Sequence, residues 1–471
     1  MSLITTSSAP WPDAGVLSRL AQWACALDTQ SIPDPVRLIA HRCVLDTLGV
    51  AIAGRNQHAA QVVTQSVVPF SGHGHCQILT AGSLADPGQA ALINATCAHA
   101  LDFDDNSYAG FVHGSAVIIP AALAVAQHVD ASGARLLDAV ILASEIQYSL
   151  GECLGMPVYE RGWWTTGLLG AAGAAAAAAL LLDLPAQRVH AALALALVSG
   201  GVTKAVFGSD AKPLGAGRAS QQGVIAALLA RSGASAPEQV FQGPYGWVNL
   251  LNDGQFSPER LHDLGQRWRM LSPGVDVKRI PVCLSSHAAV DCIEQLVLEN
   301  GLRASEVDSV VCDVPPVVVH NLVFSHPKSR QQAQFSMHYA IAVTLVDGPF
   351  TLAHLDPCRM EDPAIIAMMA RIDMVCGPQW RDAKHLKAYP EGAEVIVTTR
   401  SGHRCRAFRG RARGCAADPM SDQELHEKFI VCAAPALGES IARDFADLIR
   451  SIDQTNSVRM LLPLPTHNGI N

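Results

Sequence analysis

ALINATCAHALDFDDNSYAGFVHGSAVIIPAALAVAQHV, residues 91–129, sets an acidic knot between two apolar stretches. Asp102, Asp104 and Asp105 crowd together there, flanked by His99 and His113. The segments on either side are apolar almost all round, which marks helices buried on every face. The polar stretch is thus a break between two central helices, and the chain around it must be mainly helical. No Lys or Arg occurs from Asn56 to Ala134. A buried carboxylate is costly unless it is solvated, paired or used. Positive partners for these aspartates must therefore come from distant sequence.

Outward from this knot, helical spacing runs over Val16–Leu27 and Pro35–Ile52, and again at about 86–101, 114–129, 135–154, 164–183, 186–199 and 217–232. Gly167–Leu182, GLLGAAGAAAAAALLL, is shorter than the ~20 residues of a membrane span and mostly Ala. It reads as a buried helix whose small side chains let neighbours approach closely. The character changes near Ser272-Pro273-Gly274. Strand-like runs follow at Asp308–Val314, Glu394–Thr399 and His403–Phe408, the last two forming a hairpin around Arg400-Ser401-Gly402. Helices at about 285–300 and 330–346 lie between them, and helices at about 422–434 and 438–451 follow. The fold class is mainly α with an α+β part. Residues 1–272 form the first segment of a large helical domain, 273–405 an inserted α+β unit, and 406–471 a helical return.

Composition excludes several functions. Hydrophobic residues make up 49% of the 471 and charged residues 16%, with a net charge of −8. That balance suits a large buried core, an oligomer interface, or both. Lys and Arg form no long runs, so the footprint of a nucleic-acid binder is missing. Thirteen cysteines include no CxxC pair and no zinc-type spacing. The first residues, MSLITTSSAPWPDAG, lack the basic and apolar regions of a secretory signal. These features predict a cytoplasmic protein with free thiols.

Candidate site residues follow from the need for cations. Lys212 sits in GSDAKPLGAGRASQQG, 208–223, where Gly215 and Gly217 precede a helix expected to begin near Arg218. Such a helix start beside Lys212 and Arg218 could hold a carboxylate, or the segment could be a loop with surface charges. Lys278 and Arg279 precede Ser285 and Ser286, which read as an N-cap; the two basic residues could also stand at the mouth of a cleft between the two units. Tyr339, on an apolar helix, is either a hydrogen-bonded core residue or an acid beside that cleft. GHGHC at 72–76 reads as a turn, with no third ligand for a metal in view. DFDDNS lacks the calcium loop pattern, and no nucleophile elbow or dinucleotide fingerprint is present.

Five motifs occur in order: HALDFDDNSYAGFVHGSAVIIPAALA, GWWTTGLLGAAGAAAAAALLL, FGSDAKPLGAGRASQQG, KRIPVCLSSHAAVD and FSMHYAIAVTLVDG. Together the chain resembles the MmgE/PrpD family over nearly its whole length. Reactions in that family include 2-methylcitrate dehydration, cis-aconitate decarboxylation and iminodisuccinate epimerisation. The resemblance implies a helical body built from both chain ends, a smaller inserted lid, usually a homodimer, and a site between body and lid that needs no metal or organic cofactor. By position it assigns the acidic site residue to Asp102, the polar residue after it to Asn106, the motif histidine to His113, the anion-binding lysines to Lys212 and Lys278, and the lid tyrosine to Tyr339. Tyr108 and Trp164 stand where members often carry histidine, Cys283 where they often carry Cys or His, and the KxLHxG pattern becomes Lys212-Pro213-Leu214-Gly215-Ala216-Gly217.

Every reaction of the family begins or ends at a carbon beside a carboxylate, so it needs a tuned base and fixed positive charge. Asp102, His113, Lys212 and Tyr339 are the expected catalytic residues. Asn106, Tyr108, Trp164, Arg218, Lys278 and Arg279 are expected to contact substrate. Losing several histidines removes acids for a leaving hydroxyl. That points to an epimerase inverting the α-carbon of an iminodisuccinate-like dicarboxylate. The alternative is a dehydratase or decarboxylase of a tricarboxylate, with Arg161 or Arg279 as a third basic group.

Overall fold

A computed structural model describes residues 15–70, 74–80 and 83–461. The first fourteen residues, and Gly72 and His73 of the GHGHC turn, lie outside them. The helical body is built from α1 (Val16–Ala26), α2 (Asp34–Gly54), α3 (His58–Val67), α4 (Pro87–His99), α5 (Gly114–Val129), α6 (Gly133–Leu154), α7 (Thr165–Leu181), α8 (Ala186–Val198) and α9 (Ala211–Arg231). A two-stranded hairpin, β1 (Cys76–Gln77) and β2 (Leu84–Ala85), precedes α4.

The Ala-rich α7 is the axis of this body. Every residue in it except Leu180 is buried, and it packs against α5, α6, α8 and α9. Its small side chains set how closely the others come. A Cβ on Gly223 of α9 would lie 2.4 Å from the Ala174 methyl and 2.6 Å from the Ala171 carbonyl, far inside van der Waals contact. The same packing corrects the expected start of α9. That helix begins at Ala211, not near Arg218, and Gly215 and Gly217 lie inside it. On Gly217 a Cβ would meet Thr96 Oγ1 at 2.2 Å and the Leu92 carbonyl at 2.5 Å. Gly217 serves a close crossing of α4 and α9, and a Cβ on Gly215 would meet Trp164 at 3.2 Å and Val202 at 3.4 Å.

The inserted unit carries a four-stranded sheet in the order β4-β3-β5-β6, formed by β3 (Val307–Asp313), β4 (Ile372–Val375), β5 (Ala393–Thr399) and β6 (Arg404–Arg409). β3 runs parallel to β4 and antiparallel to β5, and β5 pairs antiparallel with β6. Their alternating burial, strict in β5, is that of a sheet with one face covered. α10 (His287–Asn300) covers β5 and β6, and α11 (Met337–Val346) packs against α10 and β4. The expected helix over 330–346 is broken: Arg330–Ala333 ends, and Ser336 caps α11 by accepting from Tyr339 N. β6 continues to Arg409, past the expected end of the insert at 405. The return helices α12 (Asp422–Leu437) and α13 (Glu439–Arg450) join the body core, where α12 lies along α2.

Two apolar cores result, and their seam runs through the acidic knot. Leu101 and Phe103 belong to the core of the inserted unit, along with Val50 and Cys432 from the body. Asp102, between them, is turned the other way. All thirteen cysteines are free thiols. Among the described residues no helix is long and apolar enough to cross a membrane.

Candidate active site

The knot begins where α4 ends at His99 and finishes where α5 begins at Gly114. Asp102 has a left-handed backbone, φ 48°, an uncommon state for a residue with a Cβ. The twist lets its main chain and side chain face one partner. Lys278 Nζ donates to the Asp102 carbonyl at 2.7 Å and to its Oδ1 at 2.5 Å. Lys278 reaches this point because residues 106 and 276 form a backbone bridge, Asn106 N to Asp276 O at 2.9 Å and Asp276 N to Asn106 O at 2.7 Å. Lys212, in the first turn of α9, places Nζ 3.2 Å from the same Asp102 oxygen. All three side chains are buried. The distant cations demanded by the sequence are these two lysines.

Two histidines complete the knot. Lys212 Nζ lies 2.8 Å from His99 Nε2, and His99 Nδ1 lies 2.8 Å from Asp104 Oδ2. A charged lysine can only donate, so His99 Nε2 accepts and its Nδ1 carries the proton. Burial, with the Lys212 charge, pushes the His99 pKa down to about 4 despite Asp104, which keeps the ring neutral. His113 Nδ1 lies 2.8 Å from the Asp105 carbonyl and 3.2 Å from Asp104 Oδ2. Its Nδ1–H is therefore spent on these oxygens, and Nε2, 4.0 Å from Asp102, is the ring nitrogen left for the cleft.

The charges in the knot nearly cancel. Burial opposes ionisation of Asp102, but the ammoniums of Lys212 and Lys278 outweigh it and hold that carboxyl well below its usual range. For Asp104 the opposing effect of burial is overcome by His99 and His113. Asp105 has no such partner, and burial pushes it up to about 7. Burial lowers Lys212, while Asp102 overcomes the effect of burial on Lys278 and raises it. Two carboxylates thus face two ammoniums. His99, Asp102, Asp104 and His113 offer donor atoms within 4.8 Å of one another, a cluster that could suggest a metal. Asp102 is already engaged by two ammoniums, which would repel a further cation, so this donor set suits protons and anions.

A small cavity of about 30 Å³ adjoins the knot. The body lines it with Asp102, Asn106, Phe111, His113, Tyr159, Trp164, Phe207 and Lys212, and the inserted unit with Cys283, Leu284, Asn321, Phe335 and Glu391. Lys212 Nζ sits 5.0–5.4 Å from the ring centres of Phe335, Trp164 and Phe207, within cation–π range. Larger hollows exist elsewhere, of 480 Å³ near Ala24 and Pro185 and 610 Å³ near Leu38 and Arg450. They hold no comparable convergence of acids, bases and buried cations.

Asp102, Asn106, His113, Trp164 and Lys212 therefore meet at one cavity, with Lys278 directly behind Asp102. Tyr108 stands one step back, donating to Glu391 at 2.7 Å. Four expected residues are elsewhere. Tyr339 is buried in the core of the inserted unit and donates to the His354 carbonyl. Arg279 pairs with Asp291 and Glu294 on α10, each at 2.7 Å. Arg218 is an exposed residue of α9, left outside the cleft by the earlier start of that helix. Arg161 pairs with Asp253 at the surface. Ser285 is not a cap: its hydroxyl donates to Glu391. Glu391 and Asn321 were not singled out from sequence. Asn321 follows an apolar run, Val317-Val318-Val319, and Glu391 lies in a Tyr-Pro-Glu-Gly turn, so each is recruited only by the fold.

Two family models cover most of the chain: the MmgE/PrpD N-terminal domain matches residues 18–259 and the C-terminal domain residues 280–454. Similar proteins include the cis-aconitate decarboxylase of Homo sapiens, 26% identical over 92% of this chain and 91% of that protein. The cis-aconitate decarboxylase of Aspergillus terreus is 24% identical over 96% of each chain, and that of Mus musculus 24% over 93% and 91%. The expected resemblance holds over both matched ranges: the chain belongs to the MmgE/PrpD family.

Proposed function

We propose that the protein is a lyase that decarboxylates a small unsaturated tricarboxylate of the cis-aconitate type. One observation carries this: a buried ammonium, Lys212, shares a small cavity with aromatic walls. Loss of CO2 spreads a localised charge, so it is favoured where the departing carboxylate is desolvated and the new charge meets a fixed cation. Trp164, Phe207, Phe335 and Phe111 supply the first condition, and Lys212 the second. The named activity of the relatives agrees with this reaction. The epimerase expected from the missing histidines becomes the second reading. It is favoured by one feature, a group able to exchange a proton in each wall of the cavity, His113 and Glu391.

The atoms balance simply. The bond from the allylic carbon to its carboxylate breaks and CO2 leaves. The electron pair passes through the double bond onto the far carboxylate, held by Lys212. A proton then adds to the carbon beside that carboxylate. Incubation with cis-aconitate in deuterated water is expected to release CO2 and give a product with one carbon-bound deuterium. Exchange of carbon-bound hydrogen with no CO2 release would refute the lyase and favour the epimerase.

A further inference from the structure

Glu391 lies in a turn immediately before β5, so a central strand of the inserted unit fixes its position. It is buried, lines the cavity, and is the carboxyl that this unit contributes there. Its two oxygens are held separately: Ser285 Oγ donates to Oε1, and Tyr108 Oη donates to Oε2 at 2.7 Å. Behind Ser285 the chain of donors continues. Asn321 Nδ2 donates to Ser285 Oγ at 3.1 Å, and Tyr159 Oη donates to Asn321 Oδ1 at 3.0 Å. Every one of these hydrogens points toward Glu391. If the acid is protonated, its own hydrogen is the one these bonds leave unspent, beside the cavity.

From this geometry we infer that Glu391 is the catalytic acid that delivers a proton to the substrate carbon, and that Tyr108 and Ser285 are its positioning residues. Burial raises its pKa, the direction that favours the protonated acid. Lys278 and His113 act in the opposite sense on Glu391. Asp276, on the segment beside Asn106, bears on both Tyr108 and Glu391. Arg411 lies 5.7 Å from the centre of the Tyr108 ring. Because the knot on the body is already charge-balanced, an arriving polyanion favours retention of this proton. In the step itself the Glu391 O–H bond breaks and a C–H bond forms at the dienolate carbon. Glu391 is left as a carboxylate and regains a proton from water when the cleft opens. The inference also gives a role to Tyr108.

The inference rests on carbon protonation at this site, which decarboxylation and epimerisation share. In deuterated water, CO2 release and carbon deuteration can be followed in one sample. Glu391→Gln is expected to slow deuteration about 10²–10⁴-fold, the usual worth of a positioned acid. The hydrogen bond from Tyr108 favours the ionised form, so Tyr108→Phe raises the acid's pKa. The alkaline limb of the rate profile then moves to higher pH, a change that loss of packing alone would not cause. Deuteration by Glu391→Gln within threefold of the unmodified protein, with the same alkaline limb, overturns the assignment. Deuteration without CO2 release by the unmodified protein, still slowed by Glu391→Gln, supports the acid and overturns the decarboxylase.

Discussion

Asp102→Asn tests the charge arrangement at its centre, since it removes one charge and keeps the shape. Asp102 Oδ1 lies 2.5 Å from Lys278 Nζ and 3.2 Å from Lys212 Nζ, with all three side chains buried. Removing one partner from a buried ion pair costs about 3–5 kcal/mol, because the remaining charge is stranded. Here two cations are stranded, but neither loses every acceptor. Lys278 keeps the main-chain carbonyl of residue 102, and Lys212 keeps His99 Nε2. The expected loss is therefore near the lower end, about 3 kcal/mol at pH 7. The pH dependence has a definite sign. Asp102 raises the folded-state pKa of Lys278, so its contribution is complete below the unfolded lysine value and fades as pH rises through the folded value. The deficit of the variant should hold up to the unfolded lysine value and shrink above it, as the Lys278 ammonium discharges. Urea midpoints measured from pH 6 to 11 give the comparison. A bound dicarboxylate at about 100 times its Kd should stabilise the variant by about 2.7 kcal/mol through mass action. Equal midpoints at every pH, or a deficit that widens with alkalinity, would refute the pairing as the source of the site's charge.

Lys212→Met should leave folding intact while lowering turnover at least ~10²-fold, the scale of losing one fixed charge-stabilising donor; circular dichroism and CO2 release separate the two effects. Asp105→Asn acts on stability. A buried acid raised from 3.8 to about 7 favours folding below pH 3.8, and that contribution fades as pH rises to 7. Above pH 7 the ionised form opposes folding by up to roughly 4 kcal/mol, so the variant should melt higher than the parent at pH 8 and gain little at pH 5. Gly223→Ala forces a methyl into the crossing of α7 and α9; overpacking of this kind costs about 1–3 kcal/mol, and an unchanged melting temperature would contradict the close approach.

The helical body was legible because its helices are apolar all round, and a stretch such as Ala171–Ala179 has no other soluble home. The positive partners of Asp102 were legible from an absence, since no cation occurs within reach in the sequence. What failed was read through local chemistry alone. Gly215 and Gly217 look like a loop, yet they lie within α9, where α4 crosses too closely for a Cβ on Gly217 and Trp164 packs against Gly215. Tyr339 and Arg279 have the right residue types and the right neighbourhood in sequence, but each found a nearer partner inside the inserted unit. β4 was missed because only Ile372 of its four residues is buried. Glu391 was missed because its function needs Tyr108, which is hundreds of residues away, and nothing in a Tyr-Pro-Glu-Gly turn announces that contact.

The division of the site between its two walls bears on how it works. The cavity of about 30 Å³ holds roughly one water, not a tricarboxylate. Substrate can enter only if the walls separate. The Asn106–Asp276 bridge and the Lys278–Asp102 contacts bind the start of the inserted unit to the knot through buried bonds. Across the opposite side the unit is held by the Tyr159–Asn321 and Tyr108–Glu391 hydrogen bonds and by Phe207 stacked on Phe335 at 5.0 Å. These are the contacts that can part at small cost. Parting them would carry Phe335 and Glu391 away from Lys212 while the charged knot stays assembled. The anion-holding groups would then be present in the open state, and the aromatic wall and the acid would arrive only on closure. A carboxylate would be bound while solvated and desolvated only once a proton donor is in place, the order that keeps a reactive carbanion away from bulk water.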